Sequence, residues 1–275
     1  MKSDFIELEG LSVHVKVYNP DAENTVICWH GLARCGADFD YLARALANNY
    51  RVICPDTPGR GLSEWVADSD YGFHLYVPLA KALIAHYNIS QLSWVGTSMG
   101  GLLGILLAAD DQVPEFNHFV INDIGPEVPD SALARIVEYV GQTIPFFDAF
   151  PRYVDYMKEL YGCWGPRSEA QWQTFAQYSS RRTDKGQFTV HYHPTIVGQF
   201  DPEAPKVNLW PQFDAIRCPL MLIQGSVSDV LPDELFQRMC EHQPSAKPIV
   251  FAGLGHAPGL HTPEQIDPVV RFLNG

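Results

Sequence analysis

Gly96-Thr97-Ser98-Met99-Gly100 decides how this chain is read. The five residues have the form G-x-S-x-G. Before them runs Gln91-Leu92-Ser93-Trp94-Val95, a short apolar stretch suited to a buried strand. After them runs Gly101-Leu102-Leu103-Gly104-Ile105-Leu106-Leu107-Ala108-Ala109, suited to a buried helix. A strand-to-helix turn this tight forces its central residue into a strained conformation, and flanking glycines remove the Cβ clashes that would forbid it. The reading is a nucleophile elbow. It holds the Ser98 hydroxyl at the carboxyl end of a sheet, where the strain has a use.

Outward from this stretch, strands and helices alternate. Phe5 to Tyr18 reads as an antiparallel hairpin turning near Glu9-Gly10, with Val13, Val15 and Val17 on one face. Thr25 to Trp29, Arg51 to Cys54, Phe119 to Asn122, Leu220 to Gln224 and Pro248 to Phe251 are short apolar strands. Helical spacing falls over Asp38 to Asn48, Tyr71 to Tyr87 and Pro263 to Leu273. Continuous apolar strands between helices predict an α/β fold with a mostly parallel sheet, covered on both faces. From Pro126 to Pro211 no convincing strand is found. That stretch carries Phe146, Phe147, Phe150, Tyr153, Tyr156, Tyr161, Trp164, Trp172, Phe175 and Tyr178. It is expected to be a helical cap, residues 126–211, inserted into a core of residues 1–125 and 212–275.

The chain has 275 residues, 46% of them hydrophobic and 19% charged, so a globular protein is expected. The net charge of −13 argues against nucleic-acid binding and against docking on anionic membranes. No run approaches a membrane span, and Met1 to Glu7 has no apolar leader core. Cys28, Cys35, Cys54, Cys163, Cys218 and Cys240 are scattered without a C-x-x-C pair, which favours a reduced, cytoplasmic protein. The expected partner is a small molecule. The oligomeric state is left open.

A serine hydroxyl becomes a competent nucleophile when a base takes its proton and a carboxylate orients that base. Of the ten histidines, His256 in Gly253-Leu254-Gly255-His256-Ala257-Pro258 directly follows the last predicted strand. His30 is read as a brace for its own loop. His191 and His193 form an H-x-H pair with no further ligand cluster, so no metal and no cofactor are expected. For the acid, Asp229 follows the strand Leu220 to Gln224 and precedes His256, and the chain order Ser, Asp, His favours it. Asp123, at the end of the strand Phe119 to Asn122, is the rival. The backbone N–H groups of Met99 and Leu32 are the expected oxyanion donors. Arg34 and Trp164 are candidate substrate contacts.

Together His30-Gly31, Asp56-Thr57-Pro58-Gly59-Arg60-Gly61-Leu62-Ser63, the elbow, Gly225 to Asp229 and Gly255-His256 resemble an α/β-hydrolase-fold serine hydrolase of the capped, esterase-like group. The resemblance spans nearly the whole chain outside the cap. It implies cleavage of small-to-medium carboxylic esters through an acyl-enzyme. Relatives with aspartate at the elbow are dehalogenases or epoxide hydrolases, and Ser98 argues against both. Carbon–carbon hydrolases of ring-fission products often carry Asn before the serine and Trp after the histidine. Here those positions are Thr97 and Ala257. Lactone or carbon–carbon cleavage by the same groups stays open, as does a ligand-sensing protein with little turnover.

Overall fold

The computed structural model describes residues 1–67, 71–141, 144–199 and 208–275. Strand β1 (Lys2–Leu8) and strand β2 (Leu11–Tyr18) form the opening hairpin. Glu9 and Gly10 turn it with φ of 52° and 75°, the positive values that a tight hairpin turn requires. There follow β3 (Thr25–Trp29), helix α1 (Asp40–Leu46), β4 (Arg51–Pro55), α2 (Phe73–His86), β5 (Leu92–Thr97), α3 (Met99–Ala108) and β6 (Phe116–Asn122). The segment after β6 holds α4 (Asp130–Gly141), α5 (Phe150–Tyr161), α6 (Glu169–Tyr178), β7 (Ser180–Arg182), β8 (Phe188–Val190) and α7 (Trp210–Asp214). The chain ends with β9 (Leu220–Gly225), α8 (Asp233–His242), β10 (Lys247–Phe251) and α9 (Pro263–Asn274).

Eight strands form one sheet in the order β1-β2-β4-β3-β5-β6-β9-β10. Only β2 runs against the rest. The central strands β3, β5 and β9 are buried along their whole length, as a sheet covered on both faces demands. Alternate residues of each strand serve opposite cores. Ile27, Trp29, Trp94 and Ile121 pack in the core that includes α2 and α3, whereas Val26, Cys28, Val95 and Val120 pack with α1 and α9. The expected α/β architecture is therefore the one observed.

The segment between β6 and β9 differs from the expectation in one respect. It is mostly helical, yet β7 and β8 pair antiparallel within it. Three residues per strand are too few for an alternating pattern to register in the sequence. Residues 142–143 and 200–207 of the expected 126–211 cap lie outside the described residues.

Candidate active site

The elbow is built from close approaches. Ser98 sits between β5 and α3 at φ 53° and ψ −117°, a region that side chains disfavour. A Cβ on Gly96 would lie 2.2 Å from the Gly100 carbonyl oxygen, and one on Gly100 would lie 2.1 Å from the Trp29 carbonyl oxygen. Neither position admits another residue, which is why the motif keeps both glycines. Trp94 braces the turn: its Nε1–H donates to the Gly100 carbonyl at 2.9 Å, while its ring stacks on Trp29 at 5.5 Å. The Ser98 N–H is held by the Asn122 carbonyl at 3.0 Å. The strain is thus over-determined by its surroundings.

From this perch the Ser98 Oγ lies 2.9 Å from Nε2 of His256. Nδ1 of His256 lies 2.8 Å from Oδ2 of Asp123. Asp123 follows β6 directly and its side chain has no exposure. Its carboxylate also accepts the Gly225 N–H at 2.7 Å on Oδ1 and the Ser228 hydroxyl at 2.7 Å on Oδ2. These partners fix the orientation of the buried carboxylate.

Here the favoured acid is corrected. Asp229 makes no hydrogen bond to His256; its carboxylate forms a bidentate pair with Arg135 of α4, whose Nη2 donates at 2.9 Å and whose Nε also donates. Partial burial pushes the Asp229 carboxyl up, but the Arg135 hydrogen bonds and charge outweigh that and hold it below its ordinary value. The cause lies in the Gly225 to Asp229 loop. It wraps around Asp123 through Gly225 and Ser228, and the next side chain is left on the cavity border against Arg135. The rival Asp123 occupies the place assigned to Asp229.

Trp164 is found at the site, chiefly as a brace. Its Nε1–H donates to the His256 carbonyl at 2.9 Å, and its own carbonyl accepts the Gly259 N–H at 3.0 Å. The Gly255 N–H donates to the Cys163 carbonyl at 2.9 Å. The histidine loop is therefore clamped by the segment between β6 and β9. Arg34 lines the cavity, but its guanidinium is committed elsewhere. It donates to both Asp38 oxygens at 2.6 and 2.9 Å and to the Ser179 hydroxyl at 2.9 Å, and it lies over Phe175 and Tyr161. His30 is fully buried, its Nε2 accepts the Thr57 N–H at 2.9 Å, and burial pushes its pKa down to about 4. The Nδ1 of His191 accepts the Gly61 N–H, and that of His193 faces the Thr195 hydroxyl.

Two lobes of empty space meet at Ser98 and Leu32. The larger, about 370 Å³, is bordered by His256, Arg135, Asp229, Tyr139, Tyr161 and Trp164 among others. The smaller, about 70 Å³, is apolar and bordered by Met99, Leu102, Ile124, Leu133 and Ile136. Of the ten aromatic residues singled out between Phe146 and Tyr178, only Tyr161 and Trp164 border the larger lobe. Met99 opens α3, so its N–H has no partner within the helix. Leu32 borders both lobes from the turn after β3.

A model of the alpha/beta hydrolase family matches residues 26–269. The chain belongs to that family. Hydrolases and esterases are among the relatives of this α/β hydrolase. A 3-hydroxybutyrate-oligomer hydrolase of Cupriavidus necator is 34% identical over 267 residues, 94% of this chain and 90% of the relative. A solved α/β hydrolase of Novosphingobium aromaticivorans is 31% identical with a TM-score of 0.89, covering 99% of this chain and 98% of that one. A structure from Rickettsia typhi reaches a TM-score of 0.92 at 27% identity, covering 100% and 99%.

Sequence reasoning missed Ser228, Asn122 and Arg135. Asn122 ties β6 to the histidine loop, its Nδ2 donating to Thr97 Oγ1 and to the Pro258 carbonyl at 2.9 Å each. The hydroxyl one residue before Asp229 was the available signal for Ser228. A single arginine on an amphipathic helix carried none.

Proposed function

We propose that this α/β hydrolase is a serine esterase that cleaves small-to-medium carboxylic esters through an acyl-enzyme, with Ser98, His256 and Asp123 as its catalytic groups. The observation that carries the reading is the continuous hydrogen-bonded chain from Ser98 Oγ through both His256 nitrogens to a buried Asp123 carboxylate. Ser98 Oγ attacks the ester carbonyl carbon while His256 Nε2 takes its proton. Asp123 stabilises the imidazolium. The N–H groups of Met99 and Leu32 receive the negative charge on the carbonyl oxygen. The tetrahedral intermediate collapses, the C–O bond breaks, and His256 returns the proton to the departing alcohol. Water then gives a proton to His256 as it attacks the acyl carbon; the bond to Ser98 Oγ breaks, His256 returns that proton to Oγ, and the acid leaves.

The general acid must reach the leaving oxygen, so the alcohol half belongs in the lobe that His256 borders. The acyl chain belongs in the smaller lobe beside Met99, whose volume favours a short one. The Cupriavidus necator relative hydrolyses 3-hydroxybutyrate oligomers, whose bonds are short hydroxyacyl esters, and its identity runs over nearly the full chain. That class stands first among the candidates. The segment between β6 and β9 acts as a lid that shields the acyl-enzyme.

The test is a substrate panel: p-nitrophenyl esters of increasing acyl length, hydroxyacyl esters, lactones and ring-fission diketones. Fast turnover of short esters, abolished by Ser98→Ala, is expected. Turnover confined to diketones or lactones, or a single slow turnover leaving a long-lived adduct, contradicts the reading.

A further inference from the structure

We propose that Arg135 is a specificity-determining residue that recognises a free carboxylate on the alcohol half of the ester. The proposal rests on the ester reading above and narrows it: the preferred leaving group is itself a hydroxy acid. Three charged side chains border the larger lobe beside His256, namely Arg34, Arg135 and Asp229. Arg34 is spent on Asp38 and its side chain is only 4% exposed. Arg135 is different. Its side chain is 45% exposed and that of Asp229 is 47% exposed. Nε and Nη2 face Asp229, and no hydrogen bond engages Nη1 among the described residues.

With both side chains nearly half exposed, water and other anions can reach either partner of this pair. A substrate carboxylate presents the same two oxygens to the guanidinium fork as Asp229 does, so it can replace or share that partner. Asp229 is free to yield because Asp123 carries the contact to His256. The assignment to the alcohol half follows from the lobes. Arg135 shares the larger lobe with the proton donor to the leaving oxygen. A net charge of −13 repels anions at long range, so an anionic substrate needs a local cation at the site.

The experiment compares 3-(butyryloxy)butanoate with its methyl ester, reading butyrate release, with p-nitrophenyl butyrate as a neutral reference. In the wild-type protein, kcat/KM for the free acid should exceed that for the methyl ester by roughly ten- to a hundredfold, the span of a charge-assisted hydrogen bond. R135Q should bring this ratio close to one, mostly through KM, and R135K should keep an intermediate ratio. Both esters are read on one preparation, so a partly folded variant does not distort the ratio. A wild-type ratio near one, with the neutral esters cleaved well, overturns the proposal and leaves the esterase standing. A ratio unmoved in R135Q also overturns it. Failure to cleave any of the three overturns the esterase reading and this one with it.

Discussion

Replacing Asp123 by asparagine should cripple turnover, whereas the same change at Asp229 should do little to neutral esters. The Asp123 carboxylate accepts three hydrogen bonds: from the Gly225 N–H, the Ser228 hydroxyl and His256 Nδ1. In Asp123→Asn one acceptor oxygen becomes an NH₂ group. The backbone N–H of Gly225 can only donate, so the remaining oxygen stays on that side and the NH₂ turns to His256. Nδ1 must then accept, the ring proton moves to Nε2, and Nε2 can no longer take the Ser98 proton. A tautomer fixed the wrong way costs about 10⁴ in kcat in a serine protease. A loss of roughly 10³–10⁴ is therefore expected, or about 4–5.5 kcal/mol of transition-state stabilisation at about 1.4 kcal/mol per decade. Asp229→Asn removes an exposed pair worth about 0–1 kcal/mol. Its effect on p-nitrophenyl butyrate should stay within about fivefold. The assay is kcat/KM at pH 7.5, with thermal melts to show that both variants fold. If Asp229→Asn abolishes turnover and Asp123→Asn spares it, the assignment of the acid is wrong.

Gly100→Ala should destroy activity and lower stability by about 2 kcal/mol or more, because its Cβ would meet the Trp29 carbonyl oxygen at 2.1 Å; a melt within a degree of wild type would refute this. Trp164→Phe leaves the His256 carbonyl without its 2.9 Å donor, at a cost of about 1–3 kcal/mol, read as a lower urea midpoint together with a lower kcat. Stability should also fall with acid. Burial pushes the pKa of His30 down to about 4 and that of His191 down to about 3. In the unfolded chain both titrate near 6.5, so below that pH the unfolded state binds protons that the folded state refuses. Each histidine then removes up to about 1.4 kcal/mol per pH unit between about pH 6 and its folded value. Urea midpoints that stay flat from pH 7.5 to 4.5 would contradict the burial argument.

Much of this was legible in the sequence, for a physical reason. Ser98 and His256 stand on turns that immediately follow strands, and the β5–α3 turn demands glycine on both sides; such local constraints leave a local pattern. The mostly parallel sheet, covered on both faces, followed from the unbroken apolar runs of its strands. The choice of acid had no such local signature. Asp123 and Asp229 both follow strands at the same edge of the sheet. Only the loop's path settles which carboxylate reaches His256: Gly225 and Ser228 fold back onto Asp123. The roles of Arg34 and Trp164 were equally hidden. Trp164 binds His256, which is distant in the chain, and Arg34 adds the distant Ser179 to its near neighbour Asp38. Chain order is a good guide to topology and a poor one to where a single side chain turns.

The most direct measurement is the site and stoichiometry of covalent modification by an organophosphonate ester. One phosphonyl group per chain should appear on the peptide containing Ser98, in step with the loss of esterase activity, and His256→Gln should slow the labelling by orders of magnitude. Modification of another residue accompanying inactivation, or full-speed labelling of Ser98 without the imidazole, would contradict the account.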